Sequence, residues 1–506
     1  MTATVSAPAA AQAISRIHTD LFIDGRWAPA ASGATFTVEN PATGEALAQV
    51  ADGNADDARR ALQTAADHQA AWAATSPRSR SEILYRAYQL IIERTDEIAA
   101  VMTAEMGKPF PEARGEVAYG AEFFRWFAEE AVRIGGDHTI TGDGANRVVV
   151  SKQPVGPCVL VTPWNFPLAM GTRKIGPAVA AGCTMVFKPA ELTPLTALLL
   201  TEILAEAGLP DGVLNVVTTS DPGAVVGEWM TSGKARKVSF TGSTEVGKIL
   251  LGQAAGTVMR TSMELGGNAP FIVCADADVD RAIEGVMVAK MRNMGQACTA
   301  ANRIFVHRGV LDEFTEKLSA RMGGLVVGDG SHDGTQVGPL VEQKAVDKVT
   351  ALVSDAVGRG ARIVCGGERP TGAGHFYPPT VLTDVDPAAD LMHTEIFGPV
   401  AAIIPFGTDG ADSTATGTSD DEEVVRLAND TPWGLVGYLF TRDIDRADRL
   451  STKLEVGMVG VNTGLVSNPA APFGGVKQSG LGREGGRLGI EEFLDVKYIA
   501  RPIPTS

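Results

Sequence analysis

The sequence predicts an α/β protein with two parallel α/β domains in tandem. Three observations carry this. Short β-runs alternate with helical stretches from Pro167 to Leu265, and the alternation begins again from Pro270 to about Phe440. The 506 residues are also too many for one hydrophobic core. At roughly 150 residues per domain, length suggests about three units. Hydrophobic residues make up 44% and charged residues 21%, as in ordinary globular proteins. The 57 glycines imply many tight turns and close backbone approaches.

Taken in order, the chain opens on "MTATVSAPAAAQAISR", which has neither the basic start nor the apolar core of a signal peptide and reads as a disordered tail over 1–16. From Ala55 to about Gly135 the pattern is helical, with apolar residues at three- and four-residue spacing. "NRVVVSKQPVGPCVLVTPW" then reads as two short strands around a Pro-Gly turn. In the first α/β series the β-runs are "TMVFKP", "VLNVV", "KVSFTG" and "RTSMEL", with helices starting near Pro167, Pro194, Pro222 and Thr244. The second series runs through "FIVC", a helix after Asp278, "RIFVH", a helix from Gly309, "ARIVCGG" and "AAIIPF". Residues 407–422, small, polar and acidic, read as a flexible surface loop before the helix "EEVVRLAND". The closing "FLDVKYIARPI" is β-like and suited to lie on another sheet or another subunit.

Charge and cysteine usage narrow the function. The net charge of −16 argues against binding nucleic acid or an anionic membrane, and no apolar run is long enough to span one. Five cysteines with no regular spacing are not a disulfide framework, and seven scattered histidines give no metal motif, so no metal is expected. A reducing cytoplasm fits best.

Two motifs mislead. "FTGSTEVGKI" is one residue short of a P-loop, because Ile249 stands where a hydroxyl should hold Mg²⁺; its helix start still suits a phosphate. "GLGREG", 480–485, matches a dinucleotide fingerprint literally. It follows no apolar strand and leaves only 21 residues after it, so no βαβ unit fits.

Cys298 differs from the other cysteines. Cys158, Cys183, Cys274 and Cys365 lie in or beside apolar β-runs, as buried structural cysteines do. Cys298, in "NMGQACTAANR", sits among small and polar residues where free backbone N–H groups would stabilise a thiolate and an oxyanion. Asn165, between two prolines in "TPWNFPLAM", is held as a fixed amide donor or is a simple turn residue. Glu264, before Gly266 and Gly267, is a base able to approach a substrate or a solvated strand end.

Together these stretches resemble the aldehyde dehydrogenase superfamily. The resemblance runs in register through "PWNFP" (163–167), "KPAELTPL" (188–195), "FTGSTEVGK" (240–248), "MELGGNAP" (263–270), "GQACTAANR" (295–303), "EIFGPV" (395–400) and "PFGGVKQSGLGREGG" (472–486). It implies two Rossmann-like domains with a small bridging β-element. The cofactor domain would take 17–137 and 155–266, the catalytic domain 267–471, and the bridge 138–154 and 485–504. It implies that Cys298 attacks an aldehyde, that Asn165 and the Cys298 N–H hold the oxyanion, and that Glu264 activates water, which argues against coenzyme-A-acylating relatives. Pro163, Trp164, Lys188, Glu191, Gly242, Ser243, Glu395 and Phe397 would bind the cofactor. A carboxylate at Glu191 favours NAD, although a displaced Glu191 would admit NADP. Homodimers or homotetramers are implied as well.

Within the superfamily the sequence is most similar to succinate-semialdehyde dehydrogenases, through "TRKIGPAVAAGCTMVFKPAE" and "APFGGVKQSGLGREGGRLGIEEFLDVKYI". Arg173 and Arg292 fall where that subfamily binds its carboxylate, and Ser467 adds a hydroxyl. Ala300 stands where some members carry a second cysteine. Glutarate semialdehyde, an aminoaldehyde or a general aliphatic aldehyde is the alternative substrate. A nucleotide-triphosphate hydrolase or a non-catalytic scaffold is the alternative class.

Overall fold

The computed structural model of the chain describes residues 7–408 and 419–504. Four helices, Ala55–Ala73, Pro77–Glu93, Thr95–Met106 and Phe110–Ala131, form the predicted helical layer. Their ends are specified locally. Asn54 and Asp57 make a reciprocal capping box, Ser76 caps the second helix ahead of Pro77, and Gly107 closes the third at φ 91°.

The first α/β series builds a mainly parallel sheet. Its parallel strands lie in the order Leu214–Val216, Met185–Lys188, Cys158–Val161, Lys237–Thr241, Arg260–Glu264. Chain order runs outward in one direction from Cys158–Val161 and then reverses to Lys237–Thr241. That reversal is a topological switch point, and ligands of open α/β sheets bind beside it, at the carboxyl ends of the strands. A hairpin, Leu21–Ile23 and Arg26–Ala28, closes one edge and Gly480–Leu481 the other, both antiparallel.

The second series builds a seven-stranded sheet. Thr380–Thr383, Val400–Phe406, Ala301–His307, Ala269–Val273, Val436–Phe440 and Met458–Val461 run parallel, with Arg362–Cys365 antiparallel at the edge. Only Leu265–Asn268 separates the last parallel strand of the first sheet from the first strand of the second. A third sheet joins Leu494–Pro502, Asn146–Pro154 and Asp137–Ile140. Leu494–Pro502 pairs with Asn146–Pro154 over nine residues, Leu494 with Pro154 through Pro502 with Asn146. No described helix is long and apolar enough to cross a membrane.

Four expectations change. The stretch read as a tail holds the helix Ala7–Ile14, anchored by buried Ala13, Ile14 and Ile17. The two strands around the Pro-Gly turn belong to different sheets, because Gly156 at φ 117° redirects the chain. Arg362–Cys365 runs antiparallel. Of the 407–422 loop, residues 409–418 lie outside the described residues; its end is ordered, with Ser419 and Glu422 forming a capping box on the helix Asp420–Asn429.

Candidate active site

A cavity of about 430 Å³ opens where the first sheet's carboxyl edge meets the second sheet's amino edge. The loop after Cys158–Val161 brings Pro163, Trp164 and Asn165; the loop after Lys237–Thr241 brings Gly242 and Ser243; Glu264 ends its strand; Cys298 precedes Ala301–His307. Glu395, Phe397, Arg173, Arg292 and Ser467 line the same cavity. The structure thus brings together all but two of the residues singled out in the sequence. Lys188 and Glu191 sit outside this cavity, one strand over, as an ion pair of 2.7 Å. They stay linked to it, because Thr162 N–H donates to Lys188 O at 3.2 Å and Thr193 Oγ1 to Trp164 O at 3.3 Å.

The Asn165 side chain has a defined aim. Its Nδ2 donates to Gln296 O at 3.0 Å, which fixes the amide's orientation and leaves a second N–H. Its Oδ1 is buried without a protein partner. Both Glu264 oxygens are likewise buried and unshared. Burial first, then the neighbouring Glu484 charge, pushes the Glu264 carboxyl well above its ordinary range, against the pull of Arg173, Lys174 and Arg483. Burial pushes the Cys298 thiol up to about 12; Arg173 and Arg292 oppose this, while Glu395 and Glu264 reinforce it.

Glycine sets the closeness of these groups. A Cβ on Gly266 would come 2.9 Å from Glu395 Oε2, and one on Gly267 would come 3.0 Å from Cys298 O. Gly267 N–H donates to Glu395 Oε1 at 3.3 Å. Phe397 packs edge-on against Trp164 with centroids 5.4 Å apart, and does so at φ 56°, strained for a bulky residue.

Both misleading motifs find a use. Ser243 caps the helix Thr244–Ala255, accepting from Val246 N–H, so that the helix N-terminus begins at the cavity's edge. Lys248 turns away to Gln478 Oε1, at 2.8 Å. In "GLGREG", Gly480 lies so close to Met263 that a Cβ would strike its carbonyl. The segment delivers Glu484, which sequence reasoning missed. Glu484 is buried between Arg173 and Lys174, with Lys174 Nζ at 2.5 Å. Burial alone would raise this carboxyl, but the two cations outweigh it and hold Glu484 below its ordinary range. Arg173 is therefore already ion-paired. Arg292 makes no ion pair among the described residues; its guanidinium lies 4.7 Å from the centre of the Phe166 ring. No local pattern marks Glu484 or Lys174, which meet across 310 residues.

A cavity between two α/β sheets, with a half-buried cysteine, an unshared buried carboxyl and an aimed amide on its wall, has the groups that covalent catalysis through a thiol needs. The Aldehyde dehydrogenase family model matches residues 27–499, and the chain belongs to that family. It is 54% identical over 453 residues to a succinate-semialdehyde dehydrogenase of Paenarthrobacter nicotinovorans, covering 90% of this chain and 98% of that protein. It is 49% identical over 479 residues to a glutarate-semialdehyde dehydrogenase of Pseudomonas putida, covering 94% and 96%. The crystal structure of an E. coli NADP-dependent enzyme matches with a TM-score of 0.93 at 45% identity, covering 99% of this chain and 100% of that one. The protein is an NAD(P)-dependent aldehyde dehydrogenase by family.

Proposed function

We propose that the chain oxidises succinate semialdehyde to succinate with NAD. The observation that carries the substrate is Arg292, a cation that makes no ion pair among the described residues and lines the cavity with Cys298. A guanidinium in that state suits a carboxylate at the substrate's far end, with Ser467 as a second donor. Arg173 lines the cavity too, but its pairing with Glu484 assigns it to the field around the site more than to direct contact.

The Cys298 sulfur adds to the aldehyde carbon as thiolate, giving a thiohemiacetal. Its oxyanion is held by the free Asn165 N–H and the Cys298 backbone N–H. When bound, NAD would supply the hydride acceptor, and Cys298 would then carry the acyl group as a thioester. Glu264 takes a proton from water, which attacks the thioester and releases the acid and the thiolate. The chain's residues suit this cofactor. Thr241 Oγ1 is buried without a protein partner at the cavity wall, beside Gly242, Ser243 and the helix start. Pro163, Trp164, Glu395 and Phe397 would hold the nicotinamide ribose and ring, and Lys188 and Glu191 the adenosine ribose. The Glu191 carboxylate favours a 2′-hydroxyl over a 2′-phosphate.

We assign 17–137 and 155–266 to the cofactor domain, 267–471 to the catalytic domain, and 138–154 with 485–504 to a bridge between subunits. Exposed Ile140, Val496 and Tyr498 on that sheet and Ile249 on the helix Thr244–Ala255 support a homodimer or homotetramer. Five free cysteines suit a reducing cytoplasm.

The test is reduced-cofactor formation with succinate semialdehyde, glutarate semialdehyde and butanal, each with NAD and with NADP. Arg292→Gln should raise KM for succinate semialdehyde about 10- to 100-fold, the worth of a charge-assisted bond, and leave butanal unchanged. Equal wild-type kcat/KM on butanal would remove the carboxylate assignment. A preference for NADP would overturn the reading of Glu191.

A further inference from the structure

We propose that Asn293 is a positioning residue of the reaction, clamping the oxyanion amide of Asn165 over the nucleophile's loop. The turn before Cys298 contains three consecutive left-handed residues: Asn293 at φ 55°, Met294 at φ 56° and Gly295 at φ 73°. Left-handed backbone is unfavourable for a residue with a side chain, so the surroundings must hold the turn in place. Asn293 supplies the hold. Its Nδ2 donates to Asn165 O at 3.0 Å and to Gln296 O at 3.0 Å, while its backbone N–H donates to Glu112 Oε2 at 2.9 Å.

The arrangement closes on itself. Gln296 O accepts from both Asn293 Nδ2 and Asn165 Nδ2, which occupies both of its lone pairs. One amide therefore ties the backbone of Asn165 to the carbonyl that aims the Asn165 side chain. Two further bonds brace the pair: Lys108 Nζ donates to Asn165 O at 2.9 Å, and Gln296 Oε1 accepts from Val341 N–H at 3.0 Å. Asn293 is fully buried and does not line the cavity, so it acts through Asn165 and not on the substrate. It also follows Arg292 directly, so the turn that aims the oxyanion donor carries the proposed carboxylate ligand at its first residue. Oxyanion stabilisation depends on donors held at a fixed aim, and displacements near an ångström are enough to erase much of it.

This inference rests on the oxyanion role of Asn165, and the test separates the two. Asn293→Gly keeps the left-handed backbone without strain and removes only the amide. Steady-state kinetics are measured for the wild type, Asn165→Ala, Asn293→Gly and the double variant, with iodoacetamide alkylation of Cys298 as a readout independent of the oxyanion. Asn293→Gly should lower kcat about 10- to 100-fold, leave KM within about twofold and leave alkylation within about threefold. In the Asn165→Ala background it should cost less than about twofold more, because the lost interaction is already gone. Should Asn293→Gly not fold, Asn293→Ser carries the same expectation, since its short hydroxyl does not span both carbonyls. A kcat within twofold of wild type overturns the proposal, as does a fully additive loss in the double variant. An unchanged kcat in Asn165→Ala alone overturns the oxyanion assignment, and the proposal with it.

Discussion

Cys298 and Glu264 both sit in environments that favour their neutral forms, and this sets the pH response. With burial pushing the thiol up to about 12, the neutral thiol dominates near pH 8 in the free protein. Alkylation of free enzyme by iodoacetamide should therefore rise about tenfold per pH unit from pH 7 to 10; a plateau below pH 9 would show the thiolate to be stabilised already. The Glu264 carboxyl, raised by burial and by Glu484, is deprotonated only well above the ordinary carboxylate range. Hydrolysis should accordingly accelerate as pH rises above the ordinary carboxylate range. Glu264→Gln should keep a stoichiometric burst of reduced cofactor while turnover falls about 10²- to 10⁴-fold. That Cys298 stands apart was legible in the sequence, because its neighbours differ from those of the other four cysteines, and it lines the cavity. Arg173 was legible as a charge but not as an ion pair, and Glu484 not at all. Their chemistry exists only once Gly480–Leu481 pairs with the end of the strand Arg260–Glu264.

Secondary-structure elements were legible where periodicity or capping is strong. Pro194, Pro222 and Thr244 open their helices as the sequence predicts, and Asp278 caps the helix Val279–Met291. Strand direction was not, since an apolar run such as "RIVC" looks the same parallel or antiparallel. Asn146–Pro154 and Cys158–Val161, the two strands around the Pro-Gly turn, lie in different sheets, with Gly156 at φ 117° between them. At this scale Gly295 is the sensitive point. A Cβ there would collide with the Gly398 carbonyl at a φ that side chains rarely adopt. Gly295→Ala should cost about 1–3 kcal/mol and displace the turn that carries Cys298, read as a lowered Tm together with a kcat at least tenfold down.

The third sheet concerns the whole molecule. Val496 is 67% exposed and Tyr498 59% exposed on a strand whose other partner side is open. Such residues suit the bridge between subunits proposed above. Val496→Asp with Tyr498→Ser should yield a smaller species by light scattering, with a lower Tm. The four residues Leu265–Asn268 carry another consequence. They join the two large sheets through the wall of the cavity, so one bound ligand touches both halves of the molecule at their seam. Thermodynamic linkage then ties the halves together. A cofactor at about a hundred times its Kd adds about 2.7 kcal/mol to whatever must open for it to leave. Since opening either sheet releases it, the two should melt as one transition when it is bound, even if they melt as two without it.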